Sequence, residues 1–151
     1  MTNDHPYRPT EEVIQKYEKY WRVTLPEAYR NMLMETNGGK PEKRNFPCGS
    51  RRRMIVAFFC ILPDHNDDHA WADIDVVITQ VEERITSDPD AYGCTLIPIA
   101  ELFAGDMVCL DYRKGGEPTV CVWYHEESGE WEPVTEQVAD SYEAFMNMLE
   151  E

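Results

Sequence analysis

Between residues 10 and 23 the apolar positions Val13, Ile14, Tyr17, Tyr20 and Trp21 recur at helical spacing, which predicts a helix with one buried stripe. Thr10, followed by Glu11 and Glu12, suits its start: a Thr hydroxyl caps free amides, and early acids complement the helix dipole. A second helix is predicted to begin near Pro26, because a first turn has no use for the missing N–H. Tyr29, Met32 and Leu33 supply its apolar face. Asn37-Gly38-Gly39 ends it, since these residues turn through positive φ. Residues 40–53 read as a polar loop, with Pro41, Pro47 and Gly49 opposing regular structure. Residues 54–62 are a continuous apolar run, containing Ile55, Val56, Phe58, Phe59 and Ile61, whose length predicts a strand buried on both faces. An acidic loop follows over residues 63–73. Ile74, Ile78, Val81 and Ile85 then repeat at helical spacing.

The second half has the pattern of a strand meander. Residues 96–100 predict a short strand, placed at an edge by Pro98. Residues 107–112 and 119–124 predict two strands joined through Gly115-Gly116. A turn at 126–130 leads to a shorter strand at 131–134. For the last helix, Asp140 and Glu143 make a capping-box pattern. Val138, Tyr142, Phe145, Met146 and Leu149 mark its buried stripe. No repeat or linker divides the chain. Residues 1–9 read as an N-terminal tail and 10–151 as a single domain.

Composition narrows the function classes. The chain has 151 residues, 42% of them hydrophobic, enough for a substantial core. No apolar run is long enough to span a membrane, and residues 1–9 lack the apolar stretch of a signal peptide. The expectation is a cytoplasmic protein. The five cysteines are odd in number and form no CxxC pair. Cys60, Cys109 and Cys121 sit in apolar runs, where a free thiol behaves as a small hydrophobe. The net charge of −15 disfavours nucleic acid and anionic membranes and favours basic partners. Solubility alone is the ordinary reading of such charge, but here it is sorted into blocks. Residues 115–151 hold ten acids and no Lys or Arg, and residues 64–75 hold five Asp and no basic residue. Six of the fourteen basic residues fall within 40–53. Arg51-Arg52-Arg53 has no interleaved aromatics for stacking bases, so it reads as a solvated loop or an internal counter-charge.

Three stretches carry a resemblance. The first is Leu25-Pro26-Glu27-Ala28-Tyr29, leading to Leu33 and Asn37-Gly38-Gly39. The second is Ile97-Pro98-Ile99-Ala100, leading to Gly105-Asp106 and Cys109-Leu110-Asp111. The third is Ser141-Tyr142-Glu143-Ala144-Phe145 with Leu149. In this order and spacing they resemble the SUKH superfamily, typified by the fungal Smi/Knr cell-wall regulators and by many bacterial toxin-immunity proteins. The resemblance covers roughly residues 10–150. It implies an α+β fold with helices packed on a curved, mainly antiparallel sheet, and non-catalytic protein binding. Its bacterial members commonly protect the producing cell from secreted toxins, nucleases and deaminases among them.

The implied function is that of an immunity protein, a monomer or weak dimer, which neutralises a cognate toxin with a basic active-site groove. The alternative is a regulator or scaffold of the same fold that binds an endogenous protein. Within the motifs, Leu25, Pro26, Asn37, Gly38, Gly39, Gly105, Asp106 and Asp111 are read as maintaining the fold. The Phe103-Ala104 lead-in to Gly105, the basic run and the acidic loop depart from the family pattern. The two loops are therefore the expected carriers of individual specificity.

Catalytic and metal patterns are weak. Asp64, Asn66, Asp68 and Asp75 approach a calcium-loop spacing, but His69 stands where the sharp turn needs Gly. His65 and His69 would share a helical face for zinc, but Pro63 and the surrounding Asp residues favour a loop. GxSxG, P-loop and dinucleotide fingerprints are missing from the sequence. No catalytic residue, metal ligand or cofactor is therefore assigned. The candidate partner-binding residues are Asp64, Asp67, Asp68, Trp71, Asp73 and Asp75, with Glu126, Glu127 and Glu130. Trp71 has two readings, an aromatic anchor at an interface or a core residue.

Overall fold

The Thr10 side chain accepts from the Val13 N–H and starts α1 (Glu11–Trp21). A computed structural model describes residues 1–90 and 92–151 of the chain. After α1, Arg22 adopts a left-handed conformation (φ 59°) and its N–H returns to the Glu18 carbonyl, a capping turn that ends the helix. Ile14 and Trp21 are buried as the periodicity predicts, whereas Tyr20, expected on the same stripe, faces solvent. Pro26 opens α2 (Glu27–Glu35), which buries Tyr29, Met32 and Leu33.

The segment read as a polar loop is in part a hairpin. β1 (Asn45–Cys48) pairs antiparallel with β2 (Arg51–Phe58), Phe46 opposite Arg53. Phe46 and Cys48 point inward at alternate positions, a signal shortened by its polar neighbours. Pro47 is tolerated because β1 lies at a sheet edge. β2 ends earlier than the apolar run predicts, and its Met54 is exposed. Residues 59–62 stay buried but leave the strand. Cys60 instead exchanges backbone hydrogen bonds with Ala72 and Ile74.

Six strands form one antiparallel sheet in chain order: β1, β2, β3 (Leu96–Leu102), β4 (Met107–Asp111), β5 (Thr119–Trp123) and β6 (Thr135–Ala139). β3 is central, between β2 and β4, and the edge position expected from Pro98 is corrected. The register shifts between Pro98 and Ala100, and a bulge beside the proline absorbs its missing donor. β6 lies at 135–139, after the expected strand at 131–134, and it takes Val138 out of the last helix. α4 (Tyr142–Asn147) is capped by Ser141, whose hydroxyl accepts from the Ala144 N–H at 3.0 Å. The Asp140–Glu143 capping box does not form. Leu149 is buried beyond the end of α4.

The sheet curves until its ends meet. The Tyr124 hydroxyl, just past β5, donates to Glu136 of β6 (2.7 Å) and accepts from Arg51 of β2 (3.4 Å). Asn45 of β1 exchanges backbone hydrogen bonds with Glu150 after α4. α3 (Ile74–Val81) packs on β3, and α4 packs on β5, β6 and α2. Tyr29–Tyr142 and Phe46–Phe145 meet edge to face, with centroids 5.2 and 5.0 Å apart. β4 is buried at every position, so both faces of the sheet centre are covered.

At the Asn37-Gly38-Gly39 junction, Asn37 (φ 54°) donates to the Ile61 carbonyl at 2.9 Å and accepts from the Ile61 N–H at 2.9 Å. A Cβ on Gly38 would collide with the Phe58 and Phe59 carbonyl oxygens. Residues 1–9, expected as a tail, lie across this junction. Thr2 pairs with Lys40 through both backbone groups, and Asn3 donates to the Asn37 carbonyl.

Candidate functional site: an acidic face around the third helix

α3 rests on β3 through Ile74, Val77 and Ile78 and presents two flanks. Asp75, Ile78, Thr79 and Glu82 recur at helical spacing and line a cleft of about 580 Å³. Val77, Gln80, Val81 and Arg84 line a smaller depression of about 190 Å³ on the other flank, completed by Trp71 and His125. The acidic loop leads into α3. The β5–β6 turn packs beyond its far end, where Arg84 donates to the His125 carbonyl and the Trp131 N–H to the Glu83 carbonyl. Elements distant in sequence thus build one face.

The expected partner-binding residues have different surroundings. Asp64, Asp68, Glu126, Glu127 and Glu130 are exposed, and Asp75 is half-buried on the cleft flank. Glu82 and Glu83, which sequence reading did not single out, are exposed beside them. None of these eight carboxylates has a Lys, Arg or His partner within 4.0 Å among the described residues. Trp71 is 54% exposed, which decides against the core reading of this side chain. Asp73 is a correction: it is 1% exposed. Its carboxylate caps α3 by accepting from the Val76 N–H at 3.0 Å, and it accepts from the Leu62 N–H at 2.7 Å. An Asp directly before a helical run is a cap signal, hidden here by the acids around it.

Asp67 is engaged within the fold. His5 Nε2 lies 2.8 Å from its Oδ2, and His69 contacts its Oδ1 through both the backbone N–H and the ring. The hydrogen bond with His5, followed by that from the His69 amide, holds the Asp67 carboxyl down at about 2. His5, Asp67 and His69 are the one group of potential metal ligands that converges among the described residues. Their hydrogen bonding opposes coordination. His5 Nδ1 accepts from the Tyr7 N–H at 3.1 Å, which leaves Nε2 as the protonated nitrogen and a donor to Asp67. A metal at Nε2 would require the other tautomer and the loss of the Tyr7 bond. The trio therefore works as a clamp between the N-terminal segment and the loop. The calcium-like spacing brings no such convergence: Asp64 turns back on the Asn66 amide, and Asp75 faces the cleft.

The basic residues of the hairpin are used inside the molecule. Arg53 pairs with Asp106 at 2.8 Å, Arg52 pairs with Glu150 at 2.8 Å, and Arg51 reaches the Tyr124 hydroxyl. A family model described as SUKH_6, SMI1-KNR4 cell-wall, matches residues 11–146. The chain belongs to the SUKH family. No curated protein and no solved structure gives a significant match.

In this SUKH protein the motif residues have contacts within the fold. The buried Leu25 donates its N–H to Glu18 at 2.7 Å, next to Pro26 at the start of α2. Gly105 turns at φ 93° against the His125 ring. Asp106 accepts from the His125 N–H at 2.9 Å as well as from Arg53. Asp111 accepts from the backbone N–H and the guanidinium of Arg113. Burial acts to raise its carboxyl pKa, and the Arg113 bonds outweigh that and hold it below the usual range. Among the described residues no helix is long and apolar enough to cross a membrane.

Proposed function

We propose that this SUKH protein is an immunity protein that captures a cognate toxin by laying the α3 face against the toxin's cationic groove. The observation that carries this reading is the set of eight carboxylates around α3 that have no Lys, Arg or His partner within 4.0 Å among the described residues, together with the exposed Trp71. Acids kept for internal use are paired, as at Asp106 and Asp111. Those around α3 are left to solvent. A toxin acting on nucleic acid needs a cationic groove, and a protein surface of opposite charge competes with phosphate for it. Charge complementarity also speeds encounter, which suits a protein that must capture a toxin before it acts. Trp71 supplies apolar area that the carboxylates lack.

The test is affinity capture of the toxin domain encoded beside this gene, together with rescue of growth when that domain is expressed. Co-purification with rescue is expected. A neighbouring toxin that is neither bound nor neutralised would refute the reading, and capture of an endogenous protein in its place would favour a SUKH regulator.

A further inference from the structure

The cleft on the Asp75 flank of α3 has features that general acidity does not explain. Its volume of about 580 Å³ falls within the roughly 300–1,000 Å³ of ligand-sized sites. Tyr20 and Tyr92 stand at it with their rings exposed, Tyr92 by 83%. Asp75, Glu82, Glu83 and Asp88 line it without a basic partner within 4.0 Å among the described residues. The field they create is registered by Cys94, whose thiol is pushed up to about 11 by burial, then by Asp75 and Glu82. Trp21 also lines the cleft, fully buried, and its indole N–H has no hydrogen-bond partner among the described residues. One cation is already present. The guanidinium of Arg22 lies over the Tyr92 ring at 5.3 Å, and among the described residues no carboxylate lies within 4.0 Å of it.

We infer that this cleft is the arginine-accepting subsite of the partner interface, taking a guanidinium from a loop or extended segment of the bound protein. The inference rests on the partner-binding reading above. Arginine fits better than lysine because a planar guanidinium stacks on aromatic faces while donating in its plane to carboxylates. The Arg22–Tyr92 contact shows the aromatic part of that geometry in the free protein, a guanidinium over the ring. Arg22 is exposed and its guanidinium has no ion-pair partner among the described residues, so an incoming guanidinium can displace it to solvent. The carboxylates then give the newcomer the ion pairs that Arg22 lacks.

The experiment is an amide-detected NMR titration of the full chain with acetyl-Gly-Arg-Gly-amide, beside the same peptide carrying citrulline. Saturable shifts at Thr79, Cys94 and Thr95 are expected, about tenfold weaker with the uncharged citrulline side chain. They should disappear in the Glu82→Gln, Tyr92→Ala double variant. Both side chains are exposed, so its melting temperature should match the parent's and the loss can be assigned to the site. No saturable shift at the cleft, equal binding of the citrulline peptide, or shifts centred on residues 64–68 would overturn the subsite. The titration needs no partner protein. Peptide binding without toxin capture would refute the immunity reading alone, and toxin capture without peptide binding would refute the subsite alone.

Discussion

Asp73 and Trp71 stand two residues apart and do opposite things. In the sequence both belong to one acidic stretch. In the fold the chain turns through a short 3-10 segment at Ala70–Ala72, so that Asp73 points inward and Trp71 outward. Asp73→Ala removes a helix cap worth about 1 kcal/mol and leaves the Leu62 amide as a buried donor without an acceptor, costing about 1–3 kcal/mol more. Urea unfolding should register a total loss of about 2–4 kcal/mol, and association with the partner should keep its rate as long as the variant is folded. Trp71→Ala should behave in reverse. Trp71 is 54% exposed, so stability should fall by only about 1–2 kcal/mol, less than removal of a fully buried Trp costs, while the bound partner should dissociate at least about tenfold faster if the ring is the interface anchor. A large fall in melting temperature in Trp71→Ala, or an unchanged dissociation rate, would count against that role.

Periodicity alone located α1 and α2, and Thr10, Pro26 and Gly38 marked their limits by ordinary capping and turn chemistry. Where the sequence misled, a long-range contact had outweighed a local preference. Pro98 suggested an edge, but a bulge lets β3 take the centre. The β1–β2 hairpin hides its Phe46 and Cys48 alternation among charged residues that are answered from other elements, Arg53 by Asp106 and Arg52 by Glu150. The N-terminal segment is the strongest case. Nothing in residues 1–9 announces order, because the groups that fix it, Asn37, Lys40 and Asp67, come from elsewhere. Its attachment to the acidic loop should depend on pH in a stated direction. The folded Asp67 carboxyl titrates at about 2, below its ordinary 3.8, so the clamp contributes its full stability above the ordinary value and loses it as pH falls through about 2. The Asp67 side-chain carboxyl carbon, followed by NMR, should titrate at about 2, and a midpoint near 3.8 would count against the clamp. His5→Ala should release residues 1–6 already at neutral pH, seen as faster hydrogen exchange at Thr2 and Lys40.

On the scale of the whole molecule, the net charge of −15 and its sorting into blocks were legible at once, but the surface they make was not. Glu126, Glu127 and Glu130 meet the α3 face only because the β5–β6 turn packs on the end of α3. The cleft draws on the end of α1, on α3 and the residues after it to Pro89, on residues 92–95 and on Trp131, four separate stretches that no spacing rule joins. Folding also divides the acids into two populations. Asp67, Asp73, Asp106 and Asp111 are occupied with hydrogen bonds inside the fold, whereas the carboxylates around α3 are free to act at a distance. That division selects the charges to reverse. Asp67→Lys would break the His5 clamp and confound binding with folding, but Asp68 and Glu127 are exposed, lack ion-pair partners among the described residues and sit towards opposite ends of the face. Asp68→Lys with Glu127→Lys should therefore leave melting temperature nearly unchanged. With a basic partner at low salt it should slow association by about tenfold or more, since steering depends on the summed field at encounter. Added salt screens exposed charges beyond about 8 Å at physiological ionic strength, so the parent should slow as salt rises while the variant barely responds, and the two rates should converge. Reversing Glu143 and Glu151, exposed acids outside the α3 face, makes the same change in net charge and should slow association much less. Equal slowing by both pairs would mean that total charge steers the partner and that the α3 face has no special part in its capture.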